Sequence, residues 1–351
     1  MAVSKFIAPP TLSEKIEKEA NFFDREFYMS YSGLNKLMYS PGLFYTHYVL
    51  KEKDDSYDQN MVEGSLIHCL LLDKHTFDDK FMLSPSNTPS DSQRDILDSL
   101  YAHYKVLKND DALDGRESLE DFSPAILDLL EDRNLYQSMK EETRLAKMIN
   151  EVTVEYWEYL KTAEGKLIIS QETYDFAKNV VDKITSNPLV MECMGFFGDA
   201  MNGIKSENEV EFTVKPGEFE GGRLSDFVFG FRAIMDNLVF DNKNKVIRIN
   251  DLKKSSKTLS SFKDSIEYFN YWIQAALYVE IIQNKYPEFK PEFRFIVIDS
   301  QMQIAPIKIS DETMTQWKER LTNALLEANY HFINRNFELP YEFLVNKELT
   351  I

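Results

Sequence analysis

The fold is decided by the segment 230–254, which reads GFRAIMDNLVFDNKNKVIRINDLKK. Two runs rich in apolar and β-branched residues flank the Asn- and Asp-rich run DNKNK, and this pattern predicts a β-hairpin. The first strand carries Asp236, and the second carries Asp251 and Lys253. Because successive side chains of a strand point to opposite faces, Asp251 and Lys253 share one face and Leu252 lies on the other.

If Asp236 faces the same surface, two carboxylates and one lysine converge there. A divalent cation is the usual partner that relieves the repulsion between two nearby carboxylates. Mg²⁺ held by two carboxylates, with water in its open positions, is suited to cleaving phosphodiesters. The hairpin therefore predicts a metal-dependent nuclease site. The alternative is that Asp236 and Asp251 flank a turn and that Lys253 is a solvated strand residue.

The segment that follows the hairpin is predicted to be helical. From Ser260 to Lys285 apolar residues recur at steps of three and four, which is the pattern of one amphipathic helix. Tyr271, Gln274 and Tyr278 form a second stripe on its adjoining face.

Taken together, these motifs resemble the PD-(D/E)XK nuclease superfamily. The residues that carry the resemblance are Asp236, the D-L-K motif at 251–253, Phe262 and the Y-x-x-Q-A-A-x-Y helix at 271–278. They are most similar to the RecE-like branch, the exodeoxyribonuclease VIII type of phage and prophage recombination exonucleases. The resemblance implies an α/β fold in which helices flank a central mixed β-sheet. One departure is Lys254, because the family usually has threonine after D-L-K.

Two further positions are candidates for the metal site. Gly64 and His68 fit the G-x-x-x-H helix whose histidine contributes to the metal site in the family, although a histidine in an apolar helix is more often a core residue. In the predicted strand 209–214, EVEFTV, alternation places Glu209 and Glu211 on one face. One of them would supply an extra carboxylate. Glu209 is favoured by its offset from the preceding helix, Glu211 remains open, and so does an exposed polar face of an edge strand.

The resemblance implies a role for each of these residues. Asp236 and Asp251 share Mg²⁺, with Mn²⁺ able to substitute, and Glu209 and His68 complete that site or a second one. Lys253 orients or activates the attacking water, while Gln274 and Tyr278 hold the substrate strand or the catalytic lysine. The predicted catalytic residues are Lys253, Asp236, Asp251, Glu209, Gln274 and Tyr278, and the predicted metal ligands are Asp236, Asp251, His68 and Glu209.

Composition narrows the class of protein. The 351 residues carry 40 Lys and Arg against 58 Asp and Glu, a net charge of -18, which argues against a protein that coats nucleic acid generally. Two cysteines are too few for a disulfide framework or a four-cysteine cluster. There is no long apolar run, so we expect a cytoplasmic protein without a membrane span, in a bacterial host if it is phage-encoded.

The domain organisation follows from changes in composition along the chain. Residues 1–27 are polar and are expected to form an N-terminal arm. Residues 28–351 are expected to form a single PD-(D/E)XK nuclease domain. Within it the polar, helix-rich stretch at about 84–165 is expected to be a helical insertion.

The function predicted from the resemblance is a Mg²⁺-dependent exonuclease that degrades one strand of linear double-stranded DNA and leaves single strands for phage-type recombination. Its implied partners are DNA ends, a single-strand annealing protein and further copies of the chain in a homo-oligomer. A non-catalytic DNA-end binding or assembly protein on a nuclease scaffold remains an alternative. So does an endonuclease or single-strand nuclease of the same superfamily, because the motifs fix the chemistry and not the substrate's topology. Polarity, processivity, oligomer number and metal count stay open.

Overall fold

The chain divides into two compact units in a computed structural model. The first comprises residues 1–73 and 178–351, and the second comprises residues 74–177. The residues that the structure describes are 11–52, 58–197, 203–219 and 222–346.

Within these described ranges, eight strands form two sheets. Their bounds are β1 Tyr28–Met29, β2 Phe81–Leu83, β3 Leu167–Ile169, β4 Ile204–Val214, β5 Gly230–Asp241, β6 Val246–Lys254, β7 Lys290–Ile298 and β8 Ile304–Lys308.

Fifteen α-helices are present in the described ranges. Their bounds are α1 Leu12–Phe23, α2 Tyr31–Tyr39, α3 Pro41–Phe44, α4 Gln59–Leu72, α5 Phe77–Lys80, α6 Asp91–Asn109, α7 Ser123–Asp132, α8 Glu141–Met148, α9 Glu151–Thr162, α10 Gln171–Thr185, α11 Pro188–Cys193, α12 Phe262–Tyr268, α13 Tyr271–Lys285, α14 Asp311–Asn334 and α15 Tyr341–Asn346.

The main sheet of the first unit is mixed, as the sequence predicted. β5 pairs antiparallel with β4 on one edge and with β6 on the other, and the hairpin β5–β6 is confirmed. β6 continues into a parallel pair with β7, which pairs antiparallel with β8. The two-residue strand β1 pairs in parallel with the first two residues of β5. Parallel neighbours need a crossover connection, and α12 and α13 supply it between β6 and β7.

The side chains of β5 face α11 on one side of the sheet and α13 on the other. Asn237 donates a hydrogen bond to the carbonyl of Met194, just beyond α11, so this parity faces α11. Phe240 packs against Tyr286 at the end of α13, and Leu238 lies in the same core, so beyond Asp236 the even-numbered residues face α13. Before Asp236 the order is reversed, because Phe231, Ala233 and Met235 lie in the core and Ile234 is exposed. Asp236 therefore lies at the point where the alternation of β5 changes side.

A pair of buried asparagines fixes the register of the hairpin beside Asp236. Asn237 and Asn250 are fully buried partners in the β5–β6 ladder. Asn250 Nδ2 donates to Asn237 Oδ1 at 2.7 Å, and Asn237 Nδ2 donates to Asn208 Oδ1 on β4 at 2.8 Å. Because a one-residue slip would leave buried amides without partners, these bonds hold Asp236 and Asp251 in place.

The prediction of one amphipathic helix over Ser260–Lys285 is wrong in two respects. Asn270 adopts a left-handed conformation, with φ of 54°, and separates α12 from α13. α13 is also buried on almost all sides, because β6, β7, α2 and α14 all contact it. The periodicity of the sequence indicates the apolar stripe of the helix, but it does not indicate how many other elements pack around the helix.

The N-terminal segments pack onto the first unit's core. Ser30 caps α2 by accepting a hydrogen bond from the Gly33 amide. Within the predicted arm, 1–27, the side chains of Phe22 and Phe23 on α1 pack against the core, while residues 1–10 lie outside the described ranges. The boundary of the arm stays a prediction.

The second unit has its own apolar core. Trp157 on α9 is fully buried, and it packs against Tyr104 on α6 and Phe122. The parallel pair β2–β3 belongs to the same unit. The predicted insertion, about 84–165, falls inside the range of this unit, and its status as an insertion stays a prediction. Throughout the described ranges, helices fall short of the length and apolar character that a bilayer span requires.

Two glycines provide a test of packing around the sheet. A Cβ added at Gly230, where β5 begins, would lie 2.3 Å from the Val214 carbonyl oxygen and 2.7 Å from the Tyr28 ring. We expect Gly230→Ala to lower the free energy of unfolding by about 1–3 kcal/mol, because backbone and ring must both move. A Cβ at Gly64 in α4 would meet nothing within 4 Å. Gly64→Ala should therefore raise the stability by about 1 kcal/mol through helix propensity. Urea unfolding of both variants checks the pair, and equal effects would contradict the packing described here.

Candidate active site

The site lies where β5 and β6 part. Their ladder of paired residues runs from Asp241↔Val246 to Asn237↔Asn250 and then stops. Asp236 and Asp251 are the next residues on the two strands, and they do not pair with each other. The Asp236 carboxylate instead accepts a hydrogen bond from the Leu252 amide, with 2.7 Å between Oδ2 and the nitrogen. A side chain thus replaces the missing strand partner of a buried amide.

Asp251 and Lys253 form a buried ion pair on the face that the sequence predicted for them. Asp251 is only 1% exposed, and its Oδ2 lies 2.6 Å from the Lys253 Nζ. The other oxygen, Oδ1, accepts a hydrogen bond from Gln274 Nε2 at 2.6 Å. Both oxygens of Asp251 therefore have partners, and the carboxylate has little freedom to rotate.

The protonation of this pair follows from burial and from charge. Burial raises the pKa of Asp251, and the Lys253 ammonium opposes that rise. Burial lowers the pKa of Lys253, but Asp251 and Asp236 outweigh it, so the pKa lies above its ordinary value. Lys253 consequently holds its proton at neutral pH and can act as a cation and a hydrogen-bond donor.

Gln274 and Tyr278 lie one turn apart on α13 and form hydrogen bonds to the site. The Tyr278 hydroxyl donates to the Ile234 carbonyl of β5 at 2.8 Å, and Gln274 Nε2 lies 3.3 Å from the same hydroxyl. Burial raises the pKa of Tyr278 far above the ordinary value, so the phenol stays protonated. Their direct contacts are with Asp251 and the β5 backbone.

Tyr271 is a contact that the sequence analysis did not include in the site. The Lys253 Nζ stands 4.9 Å from the centre of the Tyr271 ring, a cation–π distance. The sequence signal was present, because Tyr271 opens the Y-x-x-Q motif three residues before Gln274. Its position over the lysine depends on the break at Asn270, which sequence periodicity did not register.

Three of the four predicted metal ligands come together. His68, Glu209 and Asp236 each offer one ligand atom, and these atoms all lie within 4.8 Å of one another. The His68 Nε2 lies 3.6 Å from Asp236 Oδ2, and its Nδ1 lies 3.9 Å from Glu209 Oε1. One imidazole nitrogen and two carboxylate oxygens are a donor set that suits a divalent cation such as Mg²⁺ or Mn²⁺. The fourth, Asp251, lies beside this cluster in its pair with Lys253.

The electrostatics of the cluster also fit a cation. Burial lowers the pKa of His68, but the carboxylates of Asp236 and Glu209 outweigh that effect and raise it to about 9. The His68 Nε2–H donates to the Leu252 carbonyl at 3.1 Å. The carboxylates thus stabilise positive charge at this point, and a metal ion there would take the place of the imidazolium proton.

Glu209, and not Glu211, reaches the cluster. Glu211 pairs with Ile234, and Glu209 lies two residues nearer to Asp236 along β4. Glu211 is half exposed and is paired with Arg232 at 2.8 Å. Glu209 adopts a left-handed backbone, with φ of 50°, where the β4–β5 pairing skips one residue pair.

That conformation at Glu209 predicts a stability effect. A non-glycine residue at positive φ costs of order 1–3 kcal/mol. We expect Glu209→Gly to be more stable to urea than Glu209→Ala by about 1 kcal/mol, because glycine adopts positive φ without strain. Unfolding in EDTA removes any contribution from bound metal. The same pair of substitutions at Glu211 should show the reverse order, since glycine weakens a regular strand.

Comparisons with known proteins identify a family for this chain. A family model for the PD-(D/E)XK nuclease superfamily matches residues 28–335. The crystal structure of a candidate exonuclease from Eubacterium rectale is 14% identical with a TM-score of 0.45, and the similarity covers 98% of this chain and 94% of that one. The crystal structure of SSO0001 is 12% identical with a TM-score of 0.22, covering 50% of this chain and 79% of that one. No curated protein matches the sequence.

The family match spans the hairpin, α4 and α13, which supply the acidic cluster and the Asp251–Lys253 pair. The chain belongs to the PD-(D/E)XK nuclease superfamily.

Proposed function

We propose that the protein is a Mg²⁺-dependent exonuclease of the RecE-like type, which degrades one strand of linear double-stranded DNA. The observation that carries the proposal is the buried Asp251–Lys253 pair, 2.6 Å between Oδ2 and Nζ, next to the cluster of His68, Glu209 and Asp236. A group of metal-ligating side chains beside a fixed lysine is an arrangement that suits phosphodiester hydrolysis.

The residues of the cluster would hold the cation. His68, Glu209 and Asp236 supply one nitrogen and two carboxylate oxygens, and Asp251 adds a carboxylate at their side. A bound divalent cation supplies a polarised water and neutralises charge on the phosphate. Mg²⁺ is the proposed ion because it binds few protein carboxylates and keeps several waters.

Lys253 is proposed to stabilise the charge that develops on the phosphate. Asp251 and the Tyr271 ring hold its ammonium in one place, and Gln274 holds Asp251 in turn. The ammonium therefore needs little reorganisation when negative charge develops. Because Lys253 keeps its proton at Nζ, its role is to donate to the phosphate or to orient the water rather than to remove a proton.

The preference for DNA ends rests on the resemblance of the D-L-K motif and the Y-x-x-Q-A-A-x-Y helix to RecE-like exonucleases. The associated features belong to the same proposal: a role in phage-type recombination, a single-strand annealing partner, a homo-oligomer and a cytoplasmic location. The site chemistry alone would equally serve an endonuclease.

The first experiment compares an end-labelled linear duplex with a covalently closed circle, each with Mg²⁺ and with EDTA. We expect loss of the linear DNA only, and only with Mg²⁺. Lys253→Ala should lower the rate by about 10²–10³-fold, because a pre-positioned donor is removed. The matched control is Lys308→Ala, a half-exposed lysine on the edge strand β8 of the same sheet, which should keep the wild-type rate.

Each other outcome has a definite meaning. Cutting of the closed circle would identify an endonuclease. Binding of DNA ends without cutting would identify an assembly protein on a nuclease scaffold. Thermal unfolding of Lys253→Ala must be measured in parallel, since removal of one partner leaves a buried charge at Asp251.

A second experiment tests which glutamate binds metal. We expect Glu209→Gln to weaken Mn²⁺ binding by at least about tenfold, because one of three ligand atoms loses its charge. Glu211→Gln, two residues along the same strand, should bind Mn²⁺ like the wild type, since Glu211 pairs with Arg232. Isothermal titration with Mn²⁺ measures both, and the opposite order would move the metal site along β4.

A further inference from the structure

An aromatic row leads away from the catalytic lysine. The Tyr271 ring, which lies beside Lys253 Nζ, stacks on the Phe269 ring with 5.4 Å between centroids. Phe269 in turn meets the Tyr268 ring edge-on at 4.8 Å. The row thus runs from the buried ammonium outward to rings that are largely in water.

The outer end of this row is open to solvent. Tyr268 is 78% exposed and Phe269 is 45% exposed. Large aromatic side chains that are exposed side by side are unusual at a surface and indicate a binding site.

The corner that carries these rings is held rigidly. The Phe269 carbonyl accepts hydrogen bonds from the Tyr31 hydroxyl at 2.7 Å and from Asn35 Nδ2 at 3.3 Å. Asn270, the left-handed residue, donates from Nδ2 to Asn35 Oδ1 at 2.9 Å. The rings are therefore displayed by a fixed backbone and lose little freedom when they bind a ligand.

A pocket of about 440 Å³ opens beside the row. Among the residues that line it are Tyr268, Phe269 and Tyr271, the segment 254–257, Asp58 and Asn60. Its volume lies in the range of small-molecule sites.

The charges around the pocket are mixed and include the cation of Lys257. Lys254 is engaged with Glu63, and Asp58 caps α4 through the Asn60 amide. Lys257 is exposed, and in the part of the chain that the structure describes its side chain makes no ion pair. The exposed hydroxyl of Ser256 stands next to it. A cation, a hydroxyl and aromatic rings that line one pocket match a phosphate attached to a base.

From this arrangement we propose that the pocket binds an unpaired nucleotide of the substrate strand, with its base stacked on Tyr268 and Phe269 and a phosphate at Lys257. A base inside a duplex has neighbours on both faces, so only an unpaired base can offer a face to these rings. The proposal rests on the proposed nuclease function, and it specifies that the strand enters the site as a frayed or single-stranded end.

Binding measured without cleavage tests the pocket separately from the chemistry. The probes are a labelled duplex with a short unpaired oligo-dT end and the matching blunt duplex, in EDTA, followed by fluorescence anisotropy. We expect the wild type to bind the unpaired end more tightly. Tyr268→Ala should weaken that binding by about 5- to 150-fold, the range for losing one stacked base, and should leave the blunt duplex unaffected.

Two further variants keep the test decisive. Tyr268→Phe retains the ring and should retain the preference for the unpaired end. Tyr39→Ala removes an equally exposed tyrosine, 79% exposed, at the end of α2 and should behave as the wild type. Equal binding of the two duplexes by the wild type, or equal binding by Tyr268→Ala and Tyr39→Ala, would overturn the proposal. Intact preference without any cleavage by the wild type would instead reject the nuclease function and keep the pocket.

Discussion

The hydrogen bond from the Leu252 amide to the Asp236 carboxylate is the constraint on which the site depends. It occupies the point where β5 and β6 stop pairing, so the sheet opens without leaving a buried amide unsatisfied. Through the opening, His68 reaches the Leu252 carbonyl and Asp236 from α4. The Asp251–Lys253 pair occupies the same opening from the α13 side. Groups from different helices can meet only because the two strands part.

Much of this arrangement was predictable from local sequence. Alternation in the hairpin placed Asp251 and Lys253 on one face, and their ion pair confirms it. The hairpin is also confirmed, because its strand signals and its turn are local, and the mixed sheet that the resemblance implied is confirmed as well. The approach of His68 to β6 was available only by resemblance to a family, since it joins elements far apart in sequence.

The features that could not be predicted depend on tertiary contacts. The left-handed conformations of Glu209 and Asn270 have no residue signal as strong as glycine, and each is maintained by bonds or charges from other elements. Gln274 was expected to contact substrate or lysine, yet its amide binds the partner of that lysine, Asp251. A stripe of residues on a helix indicates which face points to the site. It does not indicate which of several nearby groups each side chain will contact.

The bond between His68 and the Leu252 carbonyl spans 184 positions of the chain. Closing so long a loop is slow compared with forming a hairpin or a helix, and it requires the strand that contains Leu252 to be present. During synthesis from the N-terminus, α4 leaves the ribosome long before β6 does. A nascent chain therefore carries the histidine helix without the cluster, and hydrolytic capacity arises only after β6 and the α13 residues that hold Asp251 and Lys253 have been made. Translation itself thus delays the appearance of a nuclease in the cell that makes it.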